Sequence, residues 1–444
     1  MLFDSMLSRI VSLFSSDPIV KGVIIIGSGV AISQIFGIVF IPIITRLYPP
    51  AIYGTLAVFT SLLSILLVMS TFKYDFTISI TEKDDDAEYL FILSLFIVSV
   101  LTIILFLILM YWGNYLAGLY HFEFIAPYYW LFCVGFFGSS LYSLLTYWNL
   151  RTKNYLEITK TKITQSVSGS VCKIFFGILS FGSLGLIGGE IIGRIVGIGT
   201  LGRKILPKIW VSMQTLDINK LKSLAYKYRK FPIFSLPSGI INEIALQIPT
   251  LFMASLFGFQ IVGLYALSYS ILVLPISLVS GSIEQVYIAE SSELFRKKSD
   301  KILPLYLATT KKLFIYGAPV ILIAAVLSPI LFPLIFGNAW KDAGMFALPL
   351  SVMVIAQFVV SSTDRLDLYG YNLWTLSWNI CRTFLVILIF YLALILKFTP
   401  IETIFLFSLT MMIMYGINYI LNIKAIQSFL KQPINDQSLD GKNT

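Results

Sequence analysis

The sequence predicts an all-α polytopic membrane protein, with about twelve transmembrane helices in two six-helix bundles related by pseudo-two-fold symmetry. Three observations predict it. Of the 444 residues, 57% are hydrophobic and only 12% charged, with a mean hydropathy of +0.86, a balance outside that of water-soluble globular domains. The apolar residues come in long unbroken runs instead of alternating with period two, which fits helices and not an outer-membrane barrel. Finally, the second half restates the first. With Gly263 placed over Gly54, Leu47 falls on Leu256, Tyr48 on Phe257, Ile52 on Ile261, Ala57 on Ala266, Val58 on Leu267 and Ser61 on Ser270. Such a repeat predicts two homologous bundles with a shared cavity between them, the competing explanation being the chance likeness of apolar segments.

The chain opens with a helical stripe of Leu2, Phe3, Met6, Leu7, Ile10, Leu13 and Phe14 opposed by Asp4, Ser5, Ser8, Arg9 and Ser12. It lacks a basic n-region and a small-residue cleavage site, so it reads as a short helix on the membrane surface and not as a signal peptide. Spanning helices are expected near residues 20–46, 53–80, 89–112, 126–150, 160–181, 184–202, 232–257, 262–289, 310–336, 343–363, 373–396 and 401–424, each a run of about 20 apolar residues. This divides the chain into an N-terminal bundle with its surface helix (1–202), a basic cytoplasmic linker (203–230), a C-terminal bundle (231–430) and a polar, disordered tail (431–444). The linker carries a stripe of Leu221, Leu224, Ala225 and Tyr228, which reads as an amphipathic segment on the anionic leaflet. Pro42, Pro249, Pro275, Pro319 and Pro329 fall inside spans, where they bend helices and free carbonyls.

Most of the 32 Lys and Arg residues gather in Arg151–Lys162, Arg203–Lys230 and Arg296–Lys312, alternate loops that the positive-inside rule assigns to the cytoplasm together with both termini. The same rule accounts for the net charge of +9 without nucleic acid. An even number of spans separates the repeat copies, so their axis is expected along the membrane normal. The loops on the other side are short, which excludes a sizeable domain there. Cys133, Cys172 and Cys381 lie in apolar runs without CxxC spacing and His121 is the only histidine, leaving little material for a disulfide framework, a metal site or nucleophilic catalysis.

Charge inside a span costs at least about 2.5–3.5 kcal/mol and so tends to face protein or water and serve function. Lys73, Asp75, Lys173, Glu190, Arg194, Glu243, Glu284 and Arg382 are the residues so placed. Glu190 and Arg194, at i and i+4, can equally neutralise each other. Lys73 and Asp75 can snorkel to the near surface, and Glu284 lies near the cytoplasmic end of its span. Lys173, Glu243 and Arg382 are harder to explain by exposure, and the Arg382 guanidinium is a natural fork for phosphate. The acidic run Asp84, Asp85, Asp86, Glu88 reads as a solvated loop, and Asp364 and Asp367 around Arg365 as a locally paired turn.

An ordered set of strings carries a family resemblance: IPIITRLYPPAIYGTLAVF in the first two spans, FKYDFTI at 72–78, WNLRTKNYLEITKTKITQS at 148–166, GLIGGEIIGR at 185–194, YRKFPIFSLPSGIIN at 228–242 and LIFGNAWKDAG at 334–344. Together they resemble the polysaccharide-unit flippases, the polysaccharide transporter family of the multidrug/oligosaccharidyl-lipid/polysaccharide exporter superfamily. The resemblance implies two six-helix bundles in a V that flip an undecaprenyl-diphosphate-linked oligosaccharide across the bacterial cytoplasmic membrane by alternating access, for O-antigen, capsule or a similar surface polysaccharide. It also implies a cation-lined cavity and, in many members, ion coupling. Arg46 of the TRLY string and Lys73 with Asp75 of the KYD string are carried over on that basis. The expected substrate-binding set is thus Arg46, Lys73, Lys173, Arg194 and Arg382. The expected ion-coupling set is Asp75, Glu190, Glu243 and Glu284, with a proton or sodium ion as the coupling ion and no cofactor. Glu190 and Asp364 stand where the family is usually uncharged, so a coupling role for either rests on this sequence alone. Membrane lipid and a polysaccharide polymerase complex are the expected partners. The rival readings are a small-molecule exporter of the same superfamily, a membrane glycosyltransferase or polymerase, and a structural scaffold.

Overall fold

The computed structural model describes residues 18–119, 129–366 and 368–431. The expected surface helix at the N-terminus, the loop with His121, Asp367 and the tail beyond Lys431 lie outside them. Every element among the described residues is helical: α1 Pro18–Leu47, α2 Pro50–Met69, α3 Tyr74–Ile80, α4 Asp84–Leu119, α5 Tyr129–Arg151, α6 Tyr155–Ile178, α7 Gly182–Ile195, α8 Ile198–Gly202, α9 Ile205–Gln214, α10 Ile218–Lys227, α11 Leu236–Arg296, α12 Ile302–Phe336, α13 Ala343–Ser361, α14 Asn372–Leu396 and α15 Pro400–Lys431. A π-helical turn, Phe231–Ser235, leads into α11, and a 3-10 turn, Asn338–Trp340, follows α12.

Ten helical segments among the described residues are long and apolar enough to cross a membrane, and large side chains such as Ile330, Phe384 and Leu396 are exposed along them, as a lipid-facing surface requires. The chain is a multi-pass membrane protein. Two differences separate these ten from the expected twelve. The span expected at 160–181 falls on α6, whose Lys160, Lys162, Gln165 and Lys173 lower its hydropathy. The spans expected at 232–257 and 262–289 run through one element, α11, interrupted at Gly258 (φ 80°, ψ 172°), a conformation open to glycine. The expected span 53–80 is also corrected. It ends at Met69, and Phe72 and Lys73 adopt left-handed backbone (φ 49° and 64°) before α3 begins, so Lys73 and Asp75 sit at a break in the chain.

Buried side chains sort largely by half of the chain. One cluster forms around Phe59, Phe136 and Leu186 and another around Leu90, Phe91 and Leu144. Two more form around Leu350, Val354 and Phe390, and around Tyr287, Tyr306 and Phe429. The halves meet where α2 packs against α11. A Cβ placed on Gly54 would lie 1.9 Å from the Phe259 carbonyl oxygen, and a Cβ placed on Gly263 would lie 1.9 Å from the Pro50 carbonyl oxygen. Pro50 and Phe259 are themselves equivalent in the repeat register, so the contact is reciprocal, the pattern an approximate two-fold axis produces. At the same end of the molecule the Trp340 indole Nε1 donates to the Thr45 carbonyl at 2.8 Å, and Arg46 reaches the carbonyls of Leu334 and Ile335 at 3.5 Å, closing the last turn of α12.

At the opposite, lysine-rich end, the acidic run is paired and not merely solvated. Arg151 bonds Asp84 at 2.8 Å, Lys208 bonds Glu88 at 2.5 Å, and Lys220 bonds Asp85 and, at 3.3 Å, Asp86. These carboxylates hold the Lys220 ammonium above its usual range. The linker stripe expected to lie on lipid instead packs on protein, with Leu224 buried in the same cluster as Leu90 and Phe91. The linker's Trp210, Val211 and Tyr226 remain exposed.

Candidate functional site

Glycine spacing on α7 builds the site. Gly185, Gly189 and Gly193 recur every four residues on one face, and the helix approaches α6 so closely that a Cβ on Gly189 would lie 2.7 Å from the Lys173 backbone nitrogen and one on Gly193 2.9 Å from the Gly169 Cα. Small residues at this spacing let helix backbones touch. The approach is fixed by Gln165 Nε2, which donates to the Arg194 carbonyl at 2.8 Å. On its other side α6 is tied to α1: Ser166 donates to the Ser33 carbonyl at 2.6 Å, Thr159 to that of Ile25 at 2.9 Å, and the Tyr48 hydroxyl donates to the Lys173 carbonyl at 2.8 Å.

This packing brings Lys173 Nζ to 2.6 Å from Glu190 Oε2 while Arg194 Nε bonds Glu190 Oε1 at 2.9 Å. One carboxylate is clamped by two cations, so the i, i+4 neutralisation of Arg194 by Glu190 is only part of the arrangement. The triad stands on the shared wall of two joined cavities. The first, about 610 Å³, is bounded by α1, α2, α6, α7 and α11 and also contains Lys162, Gln34 and Gln165. The second, about 530 Å³, extends towards α13 and α15 and is lined by Thr60, Gln247, Thr250, Gln357 and the rings of Tyr265, Tyr269 and Tyr415. Tyr53, Leu56, Lys173, Glu190, Arg194, Tyr269 and Ser270 belong to both. Lys162 lies 5.4 Å from the Tyr142 ring centre, with no carboxylate at ion-pair distance among the described residues. The first cavity therefore carries three cations against one anion. Lys162 closes the basic run Arg151–Lys162 that the sequence assigns to a cytoplasmic loop, but α6 begins at Tyr155 and carries it as a helical residue.

The other expected site residues do not join this group. Arg382 is buried 4% exposed inside the C-terminal half, its Nη2 bonding Asn242 Oδ1 at 3.0 Å and Asn379 Oδ1 at 3.1 Å and its guanidinium 4.6 Å from the Trp378 ring. It lines neither cavity. Trp378 packs against Tyr415 at 5.8 Å, and Tyr415 lines the second cavity, so Arg382 stands one side chain behind that wall. Arg46 caps α12 as described, and Lys73 approaches Gly239 at the start of α11. Asp75 is buried and accepts from the Phe76 amide at 3.0 Å. Glu243 accepts from Gln247 Nε2 at 2.8 Å, and Glu284 pairs with Arg365 at 3.3 Å. The Asp364 turn, expected to pair locally, accepts from the Leu366 amide at 3.4 Å and also bonds across to α15, where Asn418 and Asn422 donate to its carboxylate at 3.1 and 3.0 Å.

Over 130 residues the chain is 25% identical to the amylovoran biosynthesis protein AmsL of Erwinia amylovora, a match covering 29% of this chain and 32% of that protein. The chain thus spans about a third of the length of that relative. A structure of the lipid II flippase MurJ in an inward closed conformation superposes with a TM-score of 0.69 at 13% identity, covering 91% of this chain and 90% of MurJ. An outward-facing multidrug resistance MATE family transporter of the MOP superfamily gives 0.60 at 13% identity, covering 95% of this chain and 99% of that one. At these identities the likeness is one of fold. Residues 43–345, more than half of the chain, match the family described as polysaccharide biosynthesis protein, and the chain belongs to that family.

Proposed function

We propose that the protein moves a polyprenyl-diphosphate-linked oligosaccharide from one leaflet of the bacterial cytoplasmic membrane to the other by alternating access. The observation that carries this reading is the cavity in which Lys162, Lys173 and Arg194 face a single carboxylate, Glu190. A diphosphate headgroup with sugars cannot cross hydrocarbon, so a carrier must offer cations and hydrogen-bonding groups inside the protein while the prenyl tail remains in lipid. The cations supply the first requirement. The amides, hydroxyls and aromatic rings of the second cavity supply the second, giving sugars both donors and flat apolar faces. In this reading the lysine-rich end is cytoplasmic, residues 1–202 and 231–430 are the two bodies that rock, and Arg382 is a further cationic point approached in another state of the cycle. Asp75, Glu243 and Glu284 remain further candidates for ion coupling. The tyrosine-rich wall also favours a second reading, export of aromatic small molecules.

The test is reconstitution in liposomes with a fluorescent undecaprenyl-diphosphate oligosaccharide, scoring delivery to the far leaflet. Wild-type protein is expected to deliver it, and a Lys173→Ala/Arg194→Ala double variant to lose delivery. Efflux of cationic dyes without delivery of the oligosaccharide would replace this reading with the exporter.

A further inference from the structure

The clamp on Glu190 is complete without substrate. Each carboxylate oxygen has its own cation, Oε2 the Lys173 ammonium at 2.6 Å and Oε1 the Arg194 guanidinium at 2.9 Å, on two different helices. The three side chains are nevertheless 17–30% exposed, and all three line both cavities. A purely structural ion pair at a helix contact has no reason to face the junction of the two cavities. From this geometry we infer that Glu190 is an internal counter-ion, holding the cation clamp in the empty carrier and displaced from it by the diphosphate of the substrate. The inference rests on the proposed function and deepens it by naming the group the substrate must replace.

Exchange follows from the chemistry of the groups. A diphosphate diester presents two anionic phosphates that accept from ammonium and guanidinium as a carboxylate does, with more oxygens and one more charge. Lys162, on α6 like Lys173, offers a third cation that Glu190 does not occupy, which favours the larger anion. The groups facing Glu190 are Lys162 and Lys173 on α6, Arg194 on its own helix α7, Tyr53 on α2 and Tyr269 on α11; α1 adds the uncharged Ser33 and Gln34. No second carboxylate lines either cavity. Once displaced, Glu190 has lost its two cationic bonds, and the dianion and the carboxylate together balance Lys162, Lys173 and Arg194. When the substrate leaves, the clamp re-forms. Glu190 thereby lessens the positive charge of the empty site and gives the substrate a competitor, so that binding stays weak enough for release.

The experiment is calorimetric titration of the purified full-length protein in nanodiscs with a farnesyl methyl diphosphate diester, whose phosphates do not titrate near neutrality. It is run at neutral pH. Wild-type protein is expected to bind the diester, and Glu190→Gln, which keeps the shape of the side chain and removes its charge, to bind it at least about tenfold more tightly. Glu190→Ala is expected to shift the affinity in the same direction and decides the matter if Glu190→Gln folds poorly. Binding by a well-folded variant that equals or falls below that of wild type overturns the counter-ion role and leaves the flippase reading standing. Absence of diester binding by well-folded wild type overturns both.

Discussion

Each oxygen of Glu190 is held by a different helix, and the consequences of losing one side of that grip differ from residue to residue. Removing Lys173 or Arg194 deletes one charge-assisted bond to an incoming phosphate, worth about 1.5–3 kcal/mol, or roughly 10- to 100-fold in affinity. Lys173→Ala and Arg194→Ala are therefore each expected to raise the substrate concentration for half-maximal transport by that factor, read in the liposome assay. Lys162→Ala is expected to do the same without disturbing the triad. Arg382 contrasts with these three. Its bonds to Asn242 and Asn379 and its place over Trp378 make it a packed part of the C-terminal half. Little of this grouping was readable from sequence. The charges stood out one by one because a span tolerates so few. That Lys173 meets Glu190, seventeen positions on, depends on a helix contact that the Gly185, Gly189, Gly193 spacing alone could have announced. Lys162 was hidden for a different reason: it stands where the basic cluster Arg151–Lys162 overlaps the start of the span expected at 160–181, and its charge assigns it to the loop.

Among the elements, the sharpest constraint lies between α2 and α11. With a Cβ only 1.9 Å from a carbonyl oxygen on either glycine, the helices must part to admit it. Gly54→Ala and Gly263→Ala are each expected to lower stability by at least about 1–3 kcal/mol, the cost of overpacking, seen as a lower melting temperature in detergent. The linker helices α9 and α10 are held differently, by Lys208 on Glu88 and Lys220 on Asp85 and Asp86. Glu88 is the buried member of this set. Glu88→Lys is expected to free the linker and to speed trypsin cleavage at Lys208 and Lys220 several-fold, on the order of a 1 kcal/mol shift in local opening. The hydropathy pattern located most helices because length and apolarity suffice for a span. It missed the break at Ser70–Lys73 and the docking of the linker, since a left-handed turn and an ion pair leave no periodic trace.

For the whole molecule, Trp340 on Thr45 and Arg46 on α12 join the halves at the end away from the lysine-rich loops. The proposed alternating access requires these contacts to open. With Cys133, Cys172 and Cys381 replaced, Arg46→Cys/Leu334→Cys joined by a short reducible bismaleimide is expected to stop transport, and reduction of the linker to restore it.

The reciprocal contact of Gly54 and Gly263 has one more consequence. Because each glycine meets the residue equivalent to the one that meets its counterpart, the seam could equally join two separate polypeptides, each carrying one copy of the motif. A chain severed within the linker leaves that seam intact on both fragments. Co-expressed fragments 1–214 and 215–444 are therefore expected to assemble into a working carrier, and Gly54→Ala in one fragment to abolish their co-purification, so that the covalent join serves delivery of equal numbers of halves more than their adhesion.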